Sequence, residues 1–384
     1  MDQATQERLT ARIRELRRSR STDLAPSTYR VPAGDYTSPA ALAVELDTLF
    51  LRGPLLAGLS GDAREPGDWF SFEACGRSAV VWRQNDGALR AFVNACRHRG
   101  MRVATGCGRG ERTLVCPSHS WSYGRDGRLA AIPGEAGFSD VARDEIRLTA
   151  LPVYEQAGLV FVGFTPGAWD AADLGGIDSD LASFDLGSYH QVERRERRFT
   201  TNWKLTVDSF LEAYHLDFLH VDTLRGFFHG NCSAFDAFGR NGRMVGVRRS
   251  FDELRDGASL LPHVTLLYQL FPNAVLIYQQ DHVELYQSFP DPLDPNGGEV
   301  RVTLYAPQLP ATPAERAHWQ KNLDLVDQVT STEDFAACQK IQANLRAGAV
   351  PFLILGRNEP ALAHFHRTLH QVLGTTTKGD SPCT

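Results

Sequence analysis

Between residues 69 and 165 the apolar positions come in short runs, many of them alternating with polar ones, and the runs are broken by tight turns. WFSFEA, SAVVWRQ and ALRAFVNA read as strands, and Asn85-Asp86-Gly87 reads as the hairpin turn between the last two. Arg125-Asp126-Gly127 supplies another turn, and LPVYEQAGLVFVGF predicts two more strands. These runs predict a small all-β module. A loop-rich stretch, AWDAADLGGIDSD, follows with the composition of a linker. Beyond it VTLLYQLF, AVLIYQQ, HVELYQSF and EVRVTLYAPQ predict consecutive antiparallel strands, the last pair separated by a turn containing Pro295-Asn296-Gly297-Gly298.

Helical periodicity surrounds those strands. Thr312-Pro313 with Glu315 opens a helix that turns Trp319, Leu323 and Val326 inward. A second helix starts near Ser331 and places Phe335, Cys338, Ile341 and Leu345 on one face. A third follows Asn358 and ends near Gly374, and QERLTARIRELRRS at the amino end is amphipathic through Leu9, Ile13 and Leu16. The fold class is α+β, an all-β module followed by an antiparallel sheet with helices.

Composition narrows the classes. The chain has 384 residues, 42% of them hydrophobic, and a formal net charge of −6, enough for one large domain or two ordinary ones with real cores. With no long basic run, nucleic acid and anionic membranes are poor partners. No secretory leader and no run of about 18 apolar residues is legible, so a cytoplasmic protein is expected. Seven cysteines in such a chain do not form a disulfide framework. Cys75, Cys107, Cys232, Cys338 and Cys383 are scattered and read as ordinary thiols. Cys96 and Cys116 differ, because each has a histidine two or three residues downstream.

Residues 96–98 are CRH and residues 116–119 are CPSH. Two thiolates and two imidazoles in paired loops can hold one tetrahedral zinc or a two-iron, two-sulfur cluster. In the cluster both cysteines bind one iron and both histidines the other, which suits loops that each supply one of each. A zinc ribbon more often uses C-x2-C spacing. Trp121 and Tyr123 follow at once, where aromatic rings can shield a redox centre, and Gly100 and Gly124 permit a close backbone.

The stretch LEAYHLDFLH carries a second constellation. His215 and His220 stand five apart, about 140° around a helix axis, whereas Glu212 and His215 share a face. The two imidazoles can converge on a metal where the helix deforms or ends. A non-haem iron of the two-histidine, one-carboxylate type needs one further carboxylate, and Asp334, rather than its neighbour Glu333, is the expected donor. One of that pair also reads as a helix-dipole cap. His364, His366 and His370 read as surface or packing residues.

Together, CRHRG…CPSHSWSY and NWKLTVDSFLEAYHLDFLH, with GRNEPALAHFHR near the end, resemble the α (terminal oxygenase) subunits of Rieske-type non-haem iron oxygenases, the aromatic ring-hydroxylating family. The resemblance implies an N-terminal helical segment over 1–40 packing on the catalytic domain, a Rieske [2Fe-2S] domain over 41–165 and a helix-grip catalytic domain over 166–384. It implies Cys96, His98, Cys116 and His119 as cluster ligands, and His215, His220 and Asp334 as ligands of a mononuclear Fe(II). Glu212 matches the carboxylate that carries electrons between the two centres across a subunit boundary, and Phe210 is expected either in the core or at the substrate pocket. The implied partners are O2, a small-molecule substrate, further copies in a homotrimer, and a reductase, with or without a ferredoxin, that draws on NAD(P)H. The implied reaction is hydroxylation or demethylation of an aromatic or alicyclic compound, by mono- or dioxygenation, or else oxidation of a quaternary ammonium compound. Glutamate at 212, where many ring-dihydroxylating members carry aspartate, resembles the carnitine and glycine-betaine oxygenases. Ser120 stands where glycine or alanine is common.

Overall fold

The computed structural model describes residues 1–166 and 173–375. Cys383 and residues 168–172 of the loop-rich stretch lie outside the described residues. The chain forms two compact units. One comprises residues 46–166 with 185–189, and the other comprises 1–45, 173–184 and 190–375. The β-rich unit thus opens at Leu46, and the chain returns to it briefly at 185–189.

The β-rich unit contains a five-stranded antiparallel sheet in the order Ala150–Leu151, Leu89–Val93, Arg77–Arg83, Trp69–Ala74, Cys107–Gly108. Two three-stranded sheets complete it, one from Val153–Gln156, Leu159–Val162 and Leu55–Leu59, the other from Thr113–Val115, Ser122–Gly124 and Leu129–Ala131. The Asn85-Asp86-Gly87 hairpin forms, with Gly87 at φ +83°. One hydrophobic cluster holds Val80, Trp82, Phe92, Leu114 and Tyr123 together with Cys96 and Cys116. Both sulfurs therefore sit in the core, while His119 is exposed and His98 half-buried.

The second unit is built on a seven-stranded antiparallel sheet. Its order is His190–Phe199, Asp294–Ala306, Val283–Asp291, Ala274–Tyr278, Val264–Leu270, Asn241–Arg248, Phe228–Phe238. The hairpin between Val283–Asp291 and Asp294–Ala306 turns at Pro292-Leu293, not at the Pro295-Asn296-Gly297-Gly298 run. That run lies inside the strand, where Asn202 Nδ2 donates to Pro295 O at 2.8 Å. A Cβ on Gly298 would come within 2.9 Å of Thr201 O, so this glycine is needed for close backbone approach rather than for a turn.

Helices cover the sheet. Pro313–Val329 opens with the expected Thr312/Glu315 capping box, and it buries Leu323 while Trp319 and Val326 stay half-buried. No break with a new helix start follows. Thr330–Asp334 is one wide π-helical turn that leads directly into Phe335–Arg346. The buried face of Phe335–Arg346 is Phe335, Cys338, Gln342 and Leu345, and Ile341 points to solvent. Gln342 takes the inner place because its amide bridges Tyr36 O and Asn296 Oδ1. Pro360–Leu373 ends at a left-handed Gly374, as the periodicity predicts. Its His366 and His370 are not simple packing residues. His366 Nε2 lies 2.8 Å from Asp208 Oδ1, and His370 is held between Asp35 Oδ2 at 2.7 Å and Tyr29 OH at 2.6 Å. The amino-terminal helix Gln3–Ser19 buries Leu9 and Ile13, and Arg12 pairs with Asp236 of the sheet at 2.8 Å. Among the described residues no helix is long and apolar enough to cross a membrane.

Candidate metal centres

In the β-rich unit the two cysteine loops repeat one turn. Gly100 N–H donates to Cys96 O at 2.8 Å and Ser120 N–H to Cys116 O at 2.9 Å. Cys96 N–H donates to Met101 O at 2.7 Å and Cys116 N–H to Trp121 O at 2.8 Å. The fourth residue after each cysteine is left-handed, Gly100 at φ +77° and Ser120 at φ +57°. This explains Ser120: it occupies the position that Gly100 occupies in the other loop, and it bears the steric cost that glycine avoids. A Cβ on Gly124 would meet Asp126 Oδ1 at 3.2 Å, so the close neighbour of this glycine is the Arg125-Asp126-Gly127 turn.

The rings gather above the buried sulfurs. His98 and His119 have centroids 4.7 Å apart, and Trp121 stacks on His98 at 5.0 Å with an interplanar angle of 8°. Tyr123, fully buried, places its hydroxyl 3.2 Å from Cys96 Sγ and accepts from Arg97 N–H at 2.9 Å. Burial, then the bond to Cys96, pushes the Tyr123 hydroxyl pKa up, so it remains a donor towards sulfur. Buried His98 Nδ1 has no hydrogen-bond partner, so a ring nitrogen beside two core thiols is free to accept a metal. This donor set fits a cluster with cysteines inside and histidines outside.

In the second unit the helix Trp203–Asp208, capped by Asn202 Oδ1 accepting from Lys204 N–H at 3.0 Å, ends before the histidines. A 3-10 turn follows at His215–Asp217, and Phe218 and Leu219 N–H both close on His215 O. The change of pitch removes the phase conflict, and the His215 and His220 rings lie 4.9 Å apart. Asp217 faces Gly230 on the adjoining strand, where a Cβ would collide with its carboxylate at 2.1 Å.

The wide turn supplies the carboxylate. Successive side chains in a π turn are closer in azimuth than the roughly 100° of an α-helix, so Glu333 and Asp334 both face His220. Asp334 Oδ1 is 3.0 Å from His220 Nε2 and 3.6 Å from His215 Nε2. Among the described residues, only His215, His220 and Asp334 bring three metal-binding donor atoms within 4.8 Å of one another. Cys96, His98, Cys116 and His119 are not gathered around a single point in this way, as a tetrahedral zinc would require.

Each imidazole is held from behind. His215 Nδ1 contacts Glu212 Oε1, and Glu212 Oε2 accepts from the backbone N–H of Tyr214 and of His215. His220 Nδ1 lies 2.5 Å from Glu333 Oε2, which also accepts from Thr223 Oγ1 at 2.8 Å. With both Nδ1 atoms engaged, both Nε2 atoms point at Asp334 Oδ1. That oxygen is buried and lacks a partner of hydrogen-bonding geometry despite the 3.0 Å approach. An acceptor left bare among two outward-turned imidazoles fits a divalent cation. Glu333, read from sequence as a cap or rival ligand, instead orients His220. The backing residue Glu212 was legible from its three-residue spacing, but Glu333 lies over a hundred residues from its histidine. Phe210 packs on Tyr286 at 4.4 Å and on Phe335 at 6.1 Å, with Phe199 on Phe335 at 4.9 Å.

Two protein-family models match the chain. Residues 55–154 match the Rieske [2Fe-2S] domain and residues 186–375 match the ring hydroxylating alpha subunit (catalytic domain). The chain belongs to the Rieske-type non-haem iron oxygenase α subunits. The carnitine monooxygenase oxygenase subunit of Escherichia coli (strain K12) is 30% identical over 214 residues, 53% of this chain and 57% of that protein. The chain therefore aligns with little more than half of that relative. The chloroplastic choline monooxygenase of Atriplex hortensis is 27% identical over 358 residues, 89% of this chain and 77% of its own. Among solved structures, the quaternary ammonium Rieske monooxygenase CntA in complex with L-carnitine superposes with a TM-score of 0.77 at 20% identity, covering 91% of this chain and 96% of that one. Naphthalene 1,2-dioxygenase from Rhodococcus sp. gives 0.71 at 17% identity, covering 99% of this chain and 100% of that chain. These structural likenesses establish the fold. As a member of this family the protein carries a Rieske cluster and a mononuclear iron.

Proposed function

We propose that the chain is the oxygenase subunit of a multicomponent monooxygenase that oxidises a quaternary ammonium compound with electrons drawn from NAD(P)H through a separate reductase. The observation that carries the substrate class is the agreement among curated relatives: carnitine, choline and glycine betaine monooxygenases all match. Two features of the chain support it. Glutamate stands at 212, and Phe199, Phe210, Tyr286 and Phe335, the last next to Asp334 in sequence, form an aromatic cluster of the ring types that can recognise a trimethylammonium group. This reading displaces the aromatic or alicyclic substrate first implied by the family resemblance.

In this reading Cys96, His98, Cys116 and His119 hold the cluster, and His215, His220 and Asp334 hold Fe(II). The two groups supply, respectively, single-electron transfer and dioxygen activation. The protein's part is to fix them. Glu212 and Glu333 each hold a proton at a histidine Nδ1 so that Nε2 stays a lone-pair donor. The core around Cys96 and Cys116 keeps water from the sulfurs, and the Tyr123 hydroxyl tunes them.

The surfaces around both centres point to assembly with further copies. Tyr214, Phe218, Val221 and Phe227 are exposed on the iron loop, and Met101 and Val115 are exposed beside the cluster loops. We assign these patches to contacts between subunits of a homotrimer, in which Glu212 also accepts from the His98 or His119 ring of a neighbouring copy.

The test is coupled turnover. The purified protein, a family reductase and NADH are offered carnitine, γ-butyrobetaine, choline or glycine betaine, and separately naphthalene or benzoate. Oxygen uptake matched by oxidised product with one of the quaternary ammonium compounds is expected. Coupled product formation from an aromatic compound alone overturns the substrate class.

A further inference from the structure

A cleft of about 300 Å3 opens in the catalytic unit, and none of the metal-donor residues lines it. One wall is Ala40, Ala41 and Val44 of the short helix Pro39–Glu45. The other is Leu369 and Leu373 of Pro360–Leu373. Two adjacent alanines leave space that larger apolar residues would fill, and the volume stands at the lower end for a small-molecule pocket. Polar groups complete the lining, and three of them, Glu45, Lys204 and His366, are almost fully buried.

Lys204 has more donors than partners. Its Nζ carries three N–H groups, and among the described residues it makes one hydrogen bond, to Glu45 Oε1. The Glu45 carboxylate is satisfied on its other side too, since Oε2 accepts from Trp203 Nε1 at 2.8 Å. His366 has the complementary surplus. Its Nε2 lies 2.8 Å from Asp208 Oδ1 and 3.2 Å from Tyr36 OH, while Nδ1 makes no hydrogen bond among the described residues. A neutral imidazole that donates from Nε2 to Asp208 keeps a lone pair on Nδ1. The two residues stand against one ring, Lys204 Nζ at 5.7 Å and the His366 ring at 5.9 Å from the centre of Tyr36. Buried donors without partners are costly. The lining therefore calls for a group that accepts from an ammonium and donates to an imidazole.

Charge selects among such groups. Lys204 is already answered by Glu45, and Asp208 by His366 and by Tyr36 OH at 2.9 Å. Half-buried Asp35, also in the lining, has Oδ2 2.7 Å from His370 Nε2. A ligand carboxylate would add a negative charge beside Glu45 and Asp35, and a ligand ammonium would stand against Lys204. A neutral hydroxyl meets neither obstacle.

We propose that this cleft binds a small neutral alcohol. The hydroxyl oxygen accepts from Lys204 Nζ, the hydroxyl hydrogen goes to His366 Nδ1, and the hydrocarbon lies between Pro39–Glu45 and Pro360–Leu373. The site is separate from the one that holds the oxidised substrate in the proposed function, and its occupancy is read without turnover.

The experiment is saturation-transfer NMR on the holoenzyme near pH 7, with cyclohexanol, cyclohexanecarboxylate and cyclohexylamine as probes. The three share one ring and differ in the charge of the polar group. Saturable binding of cyclohexanol is expected, with the acid and the amine at least about tenfold weaker. Ala41→Phe, which fills the cleft from one wall, should abolish that binding. The paired change Lys204→Met with Glu45→Gln removes the donor without stranding a buried carboxylate, and it should weaken cyclohexanol about tenfold. The cluster spectrum and iron content report that each variant is folded. The two variants alter different parts of the cleft, so either one decides if the other does not fold. Absence of saturable cyclohexanol binding to wild type overturns the proposal. So does wild-type affinity in either folded variant, or an acid or amine that binds as tightly as the alcohol.

Discussion

At the scale of single residues, both centres depend on what stands behind the ligands. Tyr123 aims its hydroxyl at Cys96 Sγ from a fully buried ring. A hydrogen bond to sulfur stabilises the more negative, reduced cluster, so Tyr123→Phe should lower the reduction potential. The expected drop is on the order of 50 mV, the one-electron equivalent of about 1 kcal/mol, and protein-film voltammetry measures it. Glu333 holds His220 from the side opposite Asp334. Glu333→Gln should keep the fold and the cluster spectrum but weaken Fe(II) binding by about 10–100-fold, read by titration of the apoprotein. Unaltered affinity would reduce Glu333 to a tether for Thr223.

At the scale of elements, irregular turns place the chemistry. The 3-10 turn at His215–Asp217 fits against the strand Phe228–Phe238 only because residue 230 has no side chain. Gly230→Ala should therefore displace Asp217 and, with it, His215, leaving iron substoichiometric by metal analysis while the cluster spectrum persists. The π turn at Thr330–Asp334 is anchored one turn earlier by Asp327, which accepts from Arg197 Nε at 2.7 Å and Arg195 Nη1 at 3.2 Å and from Ser331 Oγ at 3.0 Å. The Arg197 hydrogen bond, chiefly, holds the Asp327 carboxyl below its usual 3.8. A carboxylate with a depressed folded-state pKa stabilises the protein above its unfolded value, and the effect is lost as pH falls through the folded one. Asp327→Asn should thus be less stable than wild type to denaturant near pH 7. The difference should shrink below pH 3.8 and disappear in stronger acid. A constant difference across that range would show that the charge does not matter.

At the scale of the whole molecule, each unit carries one of the two donor sets, and the proposed function requires an electron to reach the second from the first. Glu212 is the carboxylate we assign to that passage through a neighbouring subunit. Glu212→Gln should leave both metal contents intact. Reoxidation of the prereduced protein in a single turnover should then slow by orders of magnitude in stopped-flow absorbance. Near-normal reoxidation would leave Glu212 only its local bond to His215.

The sequence by itself determined the all-β module, the antiparallel sheet and most helix boundaries, because period-two and period-3.6 burial are local properties of the chain. It also determined the donor types, since Cys96/His98 and Cys116/His119 lie within their own loops and Glu212, His215 and His220 within one segment. Tertiary structure decided what depends on distant contacts. The hairpin turns at Pro292-Leu293, and Gly298 meets a distant segment instead, where a Cβ would crowd Thr201 O. Ile341 yielded its inward place to Gln342, whose amide had partners on other segments. The pairing of Glu333 with His220, and of His366 with Asp208, joins residues more than a hundred positions apart, which no periodicity records. The π turn that brings Glu333 and Asp334 onto one imidazole is a change of helical pitch, and it exists only because tertiary contacts hold it.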